Sequence, residues 1–225
     1  MSNEFAVFPL GTAFLPGEYV ALNVFESRYL DMLSHVMSSG RKFVSVLIAR
    51  GSEVGGSDER FQHGVLIDIE KISPSEHSLL LEGTAVSAVT VIEWLEDNPF
   101  PRALCQQQEQ MLLLPQEMVA IARSLSLTAQ RLRSLREKVQ LHRGSDASQP
   151  ILESAIASIA SGRWWDELTT EKALEEVMWL LARSVPCGPL DRYDLLRSAT
   201  LASRLLQLDR IIEHVSEMVE FHARD

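Results

Sequence analysis

In the first half of the chain, apolar residues come in short runs bounded by glycine, proline and polar turns, which is typical of β-structure. The predicted strands are Phe5–Leu10, Tyr19–Leu22, Lys42–Ala49, Gly64–Ile72, Ser78–Gly83, Ala85–Trp94 and Arg102–Gln108. One helix interrupts them over Ser27–Ser39, where apolar residues recur at spacings of three and four. Ser27 is its predicted N-cap, and Gly40 stands where a left-handed residue commonly ends a helix.

After Pro115 the period of the apolar residues changes from two to 3.6. The first apolar stripe consists of Met118, Ala122, Leu125, Ala129, Leu132, Leu135 and Val139. Shorter helices are predicted over Ile151–Ala160 and Glu171–Ser184. The last stripe consists of Leu201, Leu205, Leu208, Ile212, Val215, Val219 and His222, the seam of a helix in a bundle. We therefore expect an α+β protein with a β-rich lobe over residues 1–116 and a helical lobe over residues 117–225.

Composition and charge narrow the class of protein. The 225 residues have a mean hydropathy of +0.01 and a net charge of −10, values of an ordinary globular chain. Residues 1–116 carry seven basic and fifteen acidic side chains, so the β-rich half has a net charge of −8. That charge repels nucleic acid, and no apolar run is long enough to span a bilayer. Two cysteines and an acidic N-terminus without a signal peptide favour a cytoplasmic protein with reduced thiols.

Motifs for cofactor chemistry are missing from the sequence. No glycine-rich loop ends in Gly-Lys-Ser/Thr, the Rossmann fingerprint is absent, and the histidines lack the i, i+4 spacing of a helical zinc pair. We therefore expect no cofactor, no metal and no catalytic residue. A catalytic site that joins Cys105 or a serine to His63 or His77 in space remains an alternative, because sequence distance does not exclude one.

Two short stretches suggest contact surfaces. The basic string at residues 131–138 lies on the polar side of a helical stripe and contains Glu137, which favours a solvated helix face over a nucleic-acid site. Adjacent residues of a helix seldom face one core, so one tryptophan of the pair Trp164 and Trp165 is a candidate anchor for a partner.

The opening residues 8–33 contain three motifs of prolines, glycines and aromatic residues. They are Phe8-Pro9-Leu10-Gly11, Leu15-Pro16-Gly17 and Phe25-Glu26-Ser27-Arg28-Tyr29. Pro9 and Pro16 are expected to break strand pairing, and Gly11 and Gly17 to allow turns, so that the chain folds back before the first helix.

The third motif carries its own structural prediction. Glu26 stands near the positive end of the helix, and Arg28 can reach a carboxylate or a carbonyl. Phe25 and Tyr29 are predicted to share a face. Glu26, Arg28 and Tyr29 are thus expected to fix the first helix, with no catalytic role.

This set of motifs resembles the Lon N-terminal domain family, and weaker similarity continues through residues 64–72, 78–89 and 191–212. The resemblance implies a PUA-like β pseudo-barrel lobe with one inserted helix, followed by an α-helical bundle lobe. In Lon proteases this unit precedes an ATPase and a serine–lysine protease domain and helps to recognise unfolded or damaged proteins. We expect a stand-alone form without either domain.

The resemblance therefore implies a non-catalytic domain that binds unfolded or partner polypeptides through an apolar groove and exposed strand edges. The candidate contact residues are Phe14, Leu15, Tyr19, Phe100, Trp164 and Trp165. We expect a monomer or weak homodimer, with neither nucleic acid nor membrane as a partner. An RNA-binding PUA-like protein and an unrecognised hydrolase remain the alternatives.

Overall fold

The computed structural model describes residues 2–51, 58–108, 113–143, 150–162, 164 and 170–222. Within these residues the protein is α+β, as the sequence predicts, with a mixed six-stranded sheet and six helices. The chain divides into two compact units. One comprises Met1–Glu109 with Arg192–Arg197, and the other comprises Gln110–Asp191 with Ser198–Asp225.

The first unit contains all the described strands. They are β1 (Asn3–Leu10), β2 (Tyr19–Val24), β3 (Lys42–Arg50), β4 (Glu59–Ser75), β5 (Ser78–Trp94) and β6 (Arg102–Gln107). The order in the sheet is β2-β5-β4-β3-β1-β6, and β6 also pairs with β5, which closes five strands into a ring. Only β1 and β3 run parallel. Strand β2 pairs with β5 alone among the described residues and forms an edge outside the ring.

The long strand β5 replaces two strands that the sequence predicts on either side of Gly83. Glycine at this position is explained by close approach rather than by a turn. A Cβ on Gly83 would lie 2.3 Å from the carbonyl oxygen of Asp68 on β4, so no side chain fits there without movement. The ladder with β4 continues on both sides of this residue with register shifts, and β5 therefore remains one strand.

Pro9 is a second difference from the sequence prediction, because it lies inside β1, paired with Val46 of β3. The amide of Val7 donates to the carbonyl oxygen of Pro101 at 2.8 Å, on the side opposite β3. Residues of a strand face the same side at every second position, so the nitrogen of Pro9 also faces that side. Strand β6 pairs only with residues 3–6 of β1, and the missing N–H of Pro9 therefore costs no ladder bond.

The inserted helix α1 (Ser27–Ser38) packs its apolar face into the core of the first unit. Its buried residues are Tyr29, Met32, Leu33 and Val36, which join one cluster with residues of the strands. The N-cap is Glu26 and not Ser27, because Glu26 is the last residue with extended backbone. Its side chain makes no capping hydrogen bond.

The second unit is helical. It contains α2 (Pro115–Arg143), α3 (Pro150–Ala160), α4 (Glu171–Arg183) and α6 (Leu201–His222), and α5 (Pro189–Arg197) begins in it. The predicted stripes supply much of its core, since Leu125, Leu132 and Leu208 are fully buried. The sequence prediction of helices with one buried face is confirmed for α2 and α6.

Helix α5 ends in the first unit. Residues Arg192–Arg197 group with the strands, although the sequence assigns everything after residue 116 to the helical lobe. Leu195 and Leu196 are 0% and 1% exposed, and the Tyr193 ring lies 4.2 Å from the ring of Phe61 on β4. The β-rich unit therefore includes a segment from far along the chain. That a chain ending near residue 116 exposes apolar surface stays a prediction.

Candidate functional site

The predicted contact residues of the β-rich unit differ widely in exposure. Tyr19 is 59% exposed, whereas Leu15 and Phe100 are 0% and 5% exposed and belong to the core. Phe14 is half-buried against the main core cluster. Sequence reasoning cannot separate an apolar turn residue that points inward from one that points outward. Only Tyr19, and in part Phe14, can therefore meet a partner without rearrangement.

The tryptophan pair lies in the helical unit. The indole N–H of Trp164 donates to the Ser126 hydroxyl at 2.9 Å, and Ser126 is itself buried on α2. This bond ties Trp164 to its own unit and supports a packing role. Trp165 lies outside the described residues, so its part of the prediction stays open.

The turn before β2 is held by one carboxylate and by one arginine from the end of the chain. Glu18 accepts a hydrogen bond from the Leu15 amide at 2.8 Å. Arg192 of α5 donates to the Ala13 carbonyl at 2.6 Å and pairs with the Glu18 carboxylate. Gly17 has a φ of +82°, which favours glycine, and its amide donates to Ala85. Sequence reasoning misses Arg192, because nothing local links it to a turn some 175 residues earlier.

The residues predicted to fix α1 form a compact cluster. Arg28 lies 3.2 Å from the Glu26 carboxylate, and its guanidinium stands 4.4 Å from the centre of the Tyr29 ring. Tyr29 is 2% exposed and its ring lies 4.1 Å from that of Phe8. Burial raises the pKa of Tyr29 to about 12, so its phenol stays neutral. These contacts support a structural role.

Replacing Arg28 by alanine is expected to lower the free energy of unfolding by about 1–3 kcal/mol, because a mostly buried cation loses its carboxylate and aromatic partners. Thermal unfolding followed by circular dichroism measures this change. The variant Arg28→Lys keeps the charge but loses the planar stacking group. Its free energy of unfolding should therefore lie between those of the natural chain and of Arg28→Ala. Unchanged melting together with lost polypeptide binding would assign Arg28 to a binding site instead.

The exposed residues along β2 form the candidate functional site, which we call the β2 edge surface. It consists of Tyr19, Ala21, Asn23 and Phe25, all exposed, on one strand and the residue after it. Phe25 is 58% exposed while Tyr29 is buried, so the predicted shared face is wrong. Phe25 precedes the first turn of α1, and the helical spacing used for that prediction does not apply to it.

Carboxylates of the neighbouring strands border this surface. The hydroxyl of Tyr19 donates to Glu82 at 2.5 Å, and Lys71 lies 3.2 Å from the same carboxylate. The hydrogen bond lowers the pKa of Glu82 and raises the pKa of Tyr19. The Glu70 carboxylate accepts a hydrogen bond from Thr84. The face beside β2 thus presents carboxylates next to an exposed aromatic ring.

Two residues of the hydrolase alternative, Cys105 and His63, are poorly suited to catalysis. Cys105 is 1% exposed, and burial raises the pKa of its thiol to about 12, which disfavours a thiolate. His63 lies 3.2 Å from the Thr90 hydroxyl, but burial and the nearby Arg197 lower the pKa of its imidazole. A cation beside the ring opposes the imidazolium that a general base must form.

The basic string on α2 is paired with carboxylates. Its ion pairs are Arg131 with Asp209, Arg133 with Glu137, Arg136 with Glu153 and Lys138 with Glu220. The reading of a solvated helix face fits these pairs. An open groove of about 480 Å³ runs beside two of them in the helical unit, and charged or hydroxyl side chains form most of its lining.

Among the residues that the structure describes, no group of three or more histidine, cysteine or acidic side chains could hold a metal ion. No described helix is both long and apolar enough to cross a bilayer.

A family model matches most of the sequence. The model of the ATP-dependent protease La (LON) substrate-binding domain matches residues 4–214, and the chain belongs to this family. The predicted resemblance is confirmed. The family is named for binding of substrate, which supports a role in substrate recognition. No curated protein matches the chain closely enough to count as a relative.

Solved structures share the fold. The crystal structure of a Lon N-terminal domain protein from Xanthomonas campestris has a TM-score of 0.58 and 21% identity, over 92% of this chain and 96% of the other. The N-terminal domain of a Mycobacterium avium complex Lon protease has a TM-score of 0.58 and 13% identity, over 94% and 98%. At these identities the likeness establishes the fold alone.

Proposed function

We propose that this protein binds unfolded or partner polypeptides through the β2 edge surface and catalyses no reaction on them. The observation that carries the proposal is the exposure of two aromatic side chains, Tyr19 at 59% and Phe25 at 58%, at the two ends of an edge strand. Aromatic residues with large exposed area are frequent anchors in protein interfaces. The family supports the same direction, because its name describes substrate binding.

The alternatives have less support. An RNA-binding role needs a basic surface, whereas residues 1–116 have a net charge of −8 and the basic string on α2 is paired with carboxylates. Two of the residues that the hydrolase alternative could use have unfavourable surroundings: burial raises the pKa of the Cys105 thiol, and burial with Arg197 lowers the pKa of His63, which makes its imidazole a weaker base. We also keep the sequence predictions of a cytoplasmic monomer or weak homodimer as proposals.

The double variant Tyr19→Ala, Phe25→Ala is expected to bind a permanently unfolded model protein at least fivefold more weakly than the natural chain. The natural affinity is expected to be about micromolar, because a contact that must release its client buries limited area. Titration calorimetry with reduced, carboxymethylated lactalbumin measures both affinities. Melting should stay nearly unchanged, since both side chains are more than half exposed.

The matched control is Ile92→Ala. Ile92 is 57% exposed on the other half of β5, away from the residues that pair with β2. It removes exposed apolar area of a single side chain without touching the proposed surface. Equal loss of affinity in both variants would show that the unfolded protein binds to any exposed apolar residue and not to the β2 edge surface. Absence of any binding by the folded natural chain would refute the proposed function.

A further inference from the structure

We propose that the outer edge of β2 accepts an additional strand, formed by an extended segment of about six residues in which apolar and basic side chains alternate. This inference rests on the proposed function and names the way in which the polypeptide is held. Backbone hydrogen bonds would supply the affinity for an extended chain, and the side chains on its two faces would supply the selectivity.

The alternation of hydrogen-bonding groups along β2 leaves every second backbone N–H and C=O group free to bond on the side away from β5. The amide of Ala85 on β5 donates to the Glu18 carbonyl at 2.9 Å. Residues that face a partner strand recur at every second position, so Val20, Leu22 and Val24 face β5. The intervening residues, Tyr19, Ala21 and Asn23, direct their N–H and C=O groups outward. Three outward donors and three outward acceptors are thus offered within six residues.

The sequence of β2 lacks the usual protection of an edge. The strand reads Tyr-Val-Ala-Leu-Asn-Val and contains neither a charge nor a proline, the residues that commonly prevent edge pairing. The edge of β4 beyond its pairing with β3 differs. There the Arg41 guanidinium donates to the carbonyls of Ile69 and Glu70 at 3.1 and 2.8 Å. Arg41 thus occupies backbone carbonyl oxygens that an added strand would need on β4. Among the described residues, no side chain occupies the outward backbone groups of β2 in this way.

The two faces of β2 favour different side chains on an added strand. On the core-facing side Val20 and Val24 are buried, and the half-buried Leu22 and Phe14 pack at the margin of the main cluster. Alternate residues of an added strand would extend this apolar margin, so they should be aliphatic or aromatic.

On the opposite face the bordering charge is negative. Glu82 lies directly across from Ala21, and Glu70 accepts a bond from Thr84 one strand further on. An added strand would lie about 9–10 Å from β5, twice the spacing between neighbouring strands. Ala21 contributes only a methyl group between the added strand and Glu82, so a lysine or arginine can reach this carboxylate beside Tyr19 and Lys71, which already contact it. The net charge of −8 over residues 1–116 favours the same basic occupant.

The test compares four labelled hexapeptides against the full chain by fluorescence anisotropy. One alternates valine and lysine, one has the same composition in two blocks, one alternates valine and glutamate, and one is the first peptide with every second amide N-methylated. We expect the alternating valine–lysine peptide to bind at least tenfold more tightly than each of the others. Glu82→Gln should weaken this peptide several-fold, while the exposed Glu93→Gln on the same strand should not.

A pair of substitutions at one position tests the edge itself. Ala21→Pro removes an outward N–H without removing a bond to β5, and should abolish peptide binding while the chain stays folded. Ala21→Ser keeps the N–H and the small size of the side chain, and should bind as well as the natural chain. If Ala21→Pro fails to fold, the N-methylated peptide decides the question on the natural chain.

The outcomes separate this inference from the proposed function. Equal affinity for the alternating and block peptides, or no effect of N-methylation, would overturn strand addition even if unfolded lactalbumin still binds through Tyr19 and Phe25. Dimerisation in the ultracentrifuge that Ala21→Pro abolishes would make a second copy the occupant and would also overturn the assignment. Failure of lactalbumin to bind at all would instead overturn the proposed function.

Discussion

A chain shortened to residues 1–116 is expected to lose cooperative folding and to expose apolar surface. The cut removes Arg192–Arg197, which belong to the same compact unit as the strands. Losing a buried leucine typically costs about 2–5 kcal/mol, and Leu195 and Leu196 are both buried, so their loss takes most of a stability of about 5–15 kcal/mol. Thermal unfolding by circular dichroism, together with binding of the dye ANS, measures the effect.

Adding residues 189–198 back as a synthetic peptide provides the control. The peptide should restore a cooperative transition, because it returns the bonds of Arg192 to Ala13 and Glu18 and the stacking of Tyr193 on Phe61. A peptide with both leucines replaced by alanine should not. If the shortened chain melted as sharply and at the same temperature as the full chain, residues 192–197 would be dispensable to the β-rich unit.

The placement of residues 192–197 separates the part of the fold that the sequence could predict from the part that it could not. Period two before Pro115 and period 3.6 after it follow from burial of one face of each element, and this local property predicts the α+β class. The membership of residues 192–197 in the strand unit is a contact between distant parts of the chain. No local pattern encodes it, and the same holds for Gly83, whose reason lies in the backbone of a neighbouring strand.

The candidate site was predictable only in part. The sequence singled out Tyr19, which is exposed, together with Leu15 and Phe100, which fill the core. A turn gives apolar residues no periodicity, so their direction depends on tertiary packing. Phe25 was missed as a surface residue because the helix begins two residues after it. The open edge of β2 required the order of strands in the sheet, which short strand patterns do not determine.

No local sequence pattern singles out Arg204 in the helical unit, yet it is 3% exposed and joins several elements. Its guanidinium donates to the Ser198 carbonyl at 2.9 Å, lies 3.4 Å from the Glu175 carboxylate and stands 4.4 Å from the centre of a Trp179 ring. Burial lowers the pKa of Arg204, and Glu175 opposes that shift. The residue therefore links α4 to the turn before α6.

Replacing Arg204 by alanine is expected to lower the free energy of unfolding by about 2–4 kcal/mol. Breaking a buried ion pair costs about 3–5 kcal/mol, and the lower range applies because the Glu175 side chain is 26% exposed and can be hydrated. Urea unfolding measures the change. Arg204→Lys keeps the charge but not the planar group that stacks on Trp179, so it should recover only part of the stability. A fully stable alanine variant would show that these contacts contribute nothing to this unit, and full recovery by lysine would show that planar stacking on Trp179 contributes nothing.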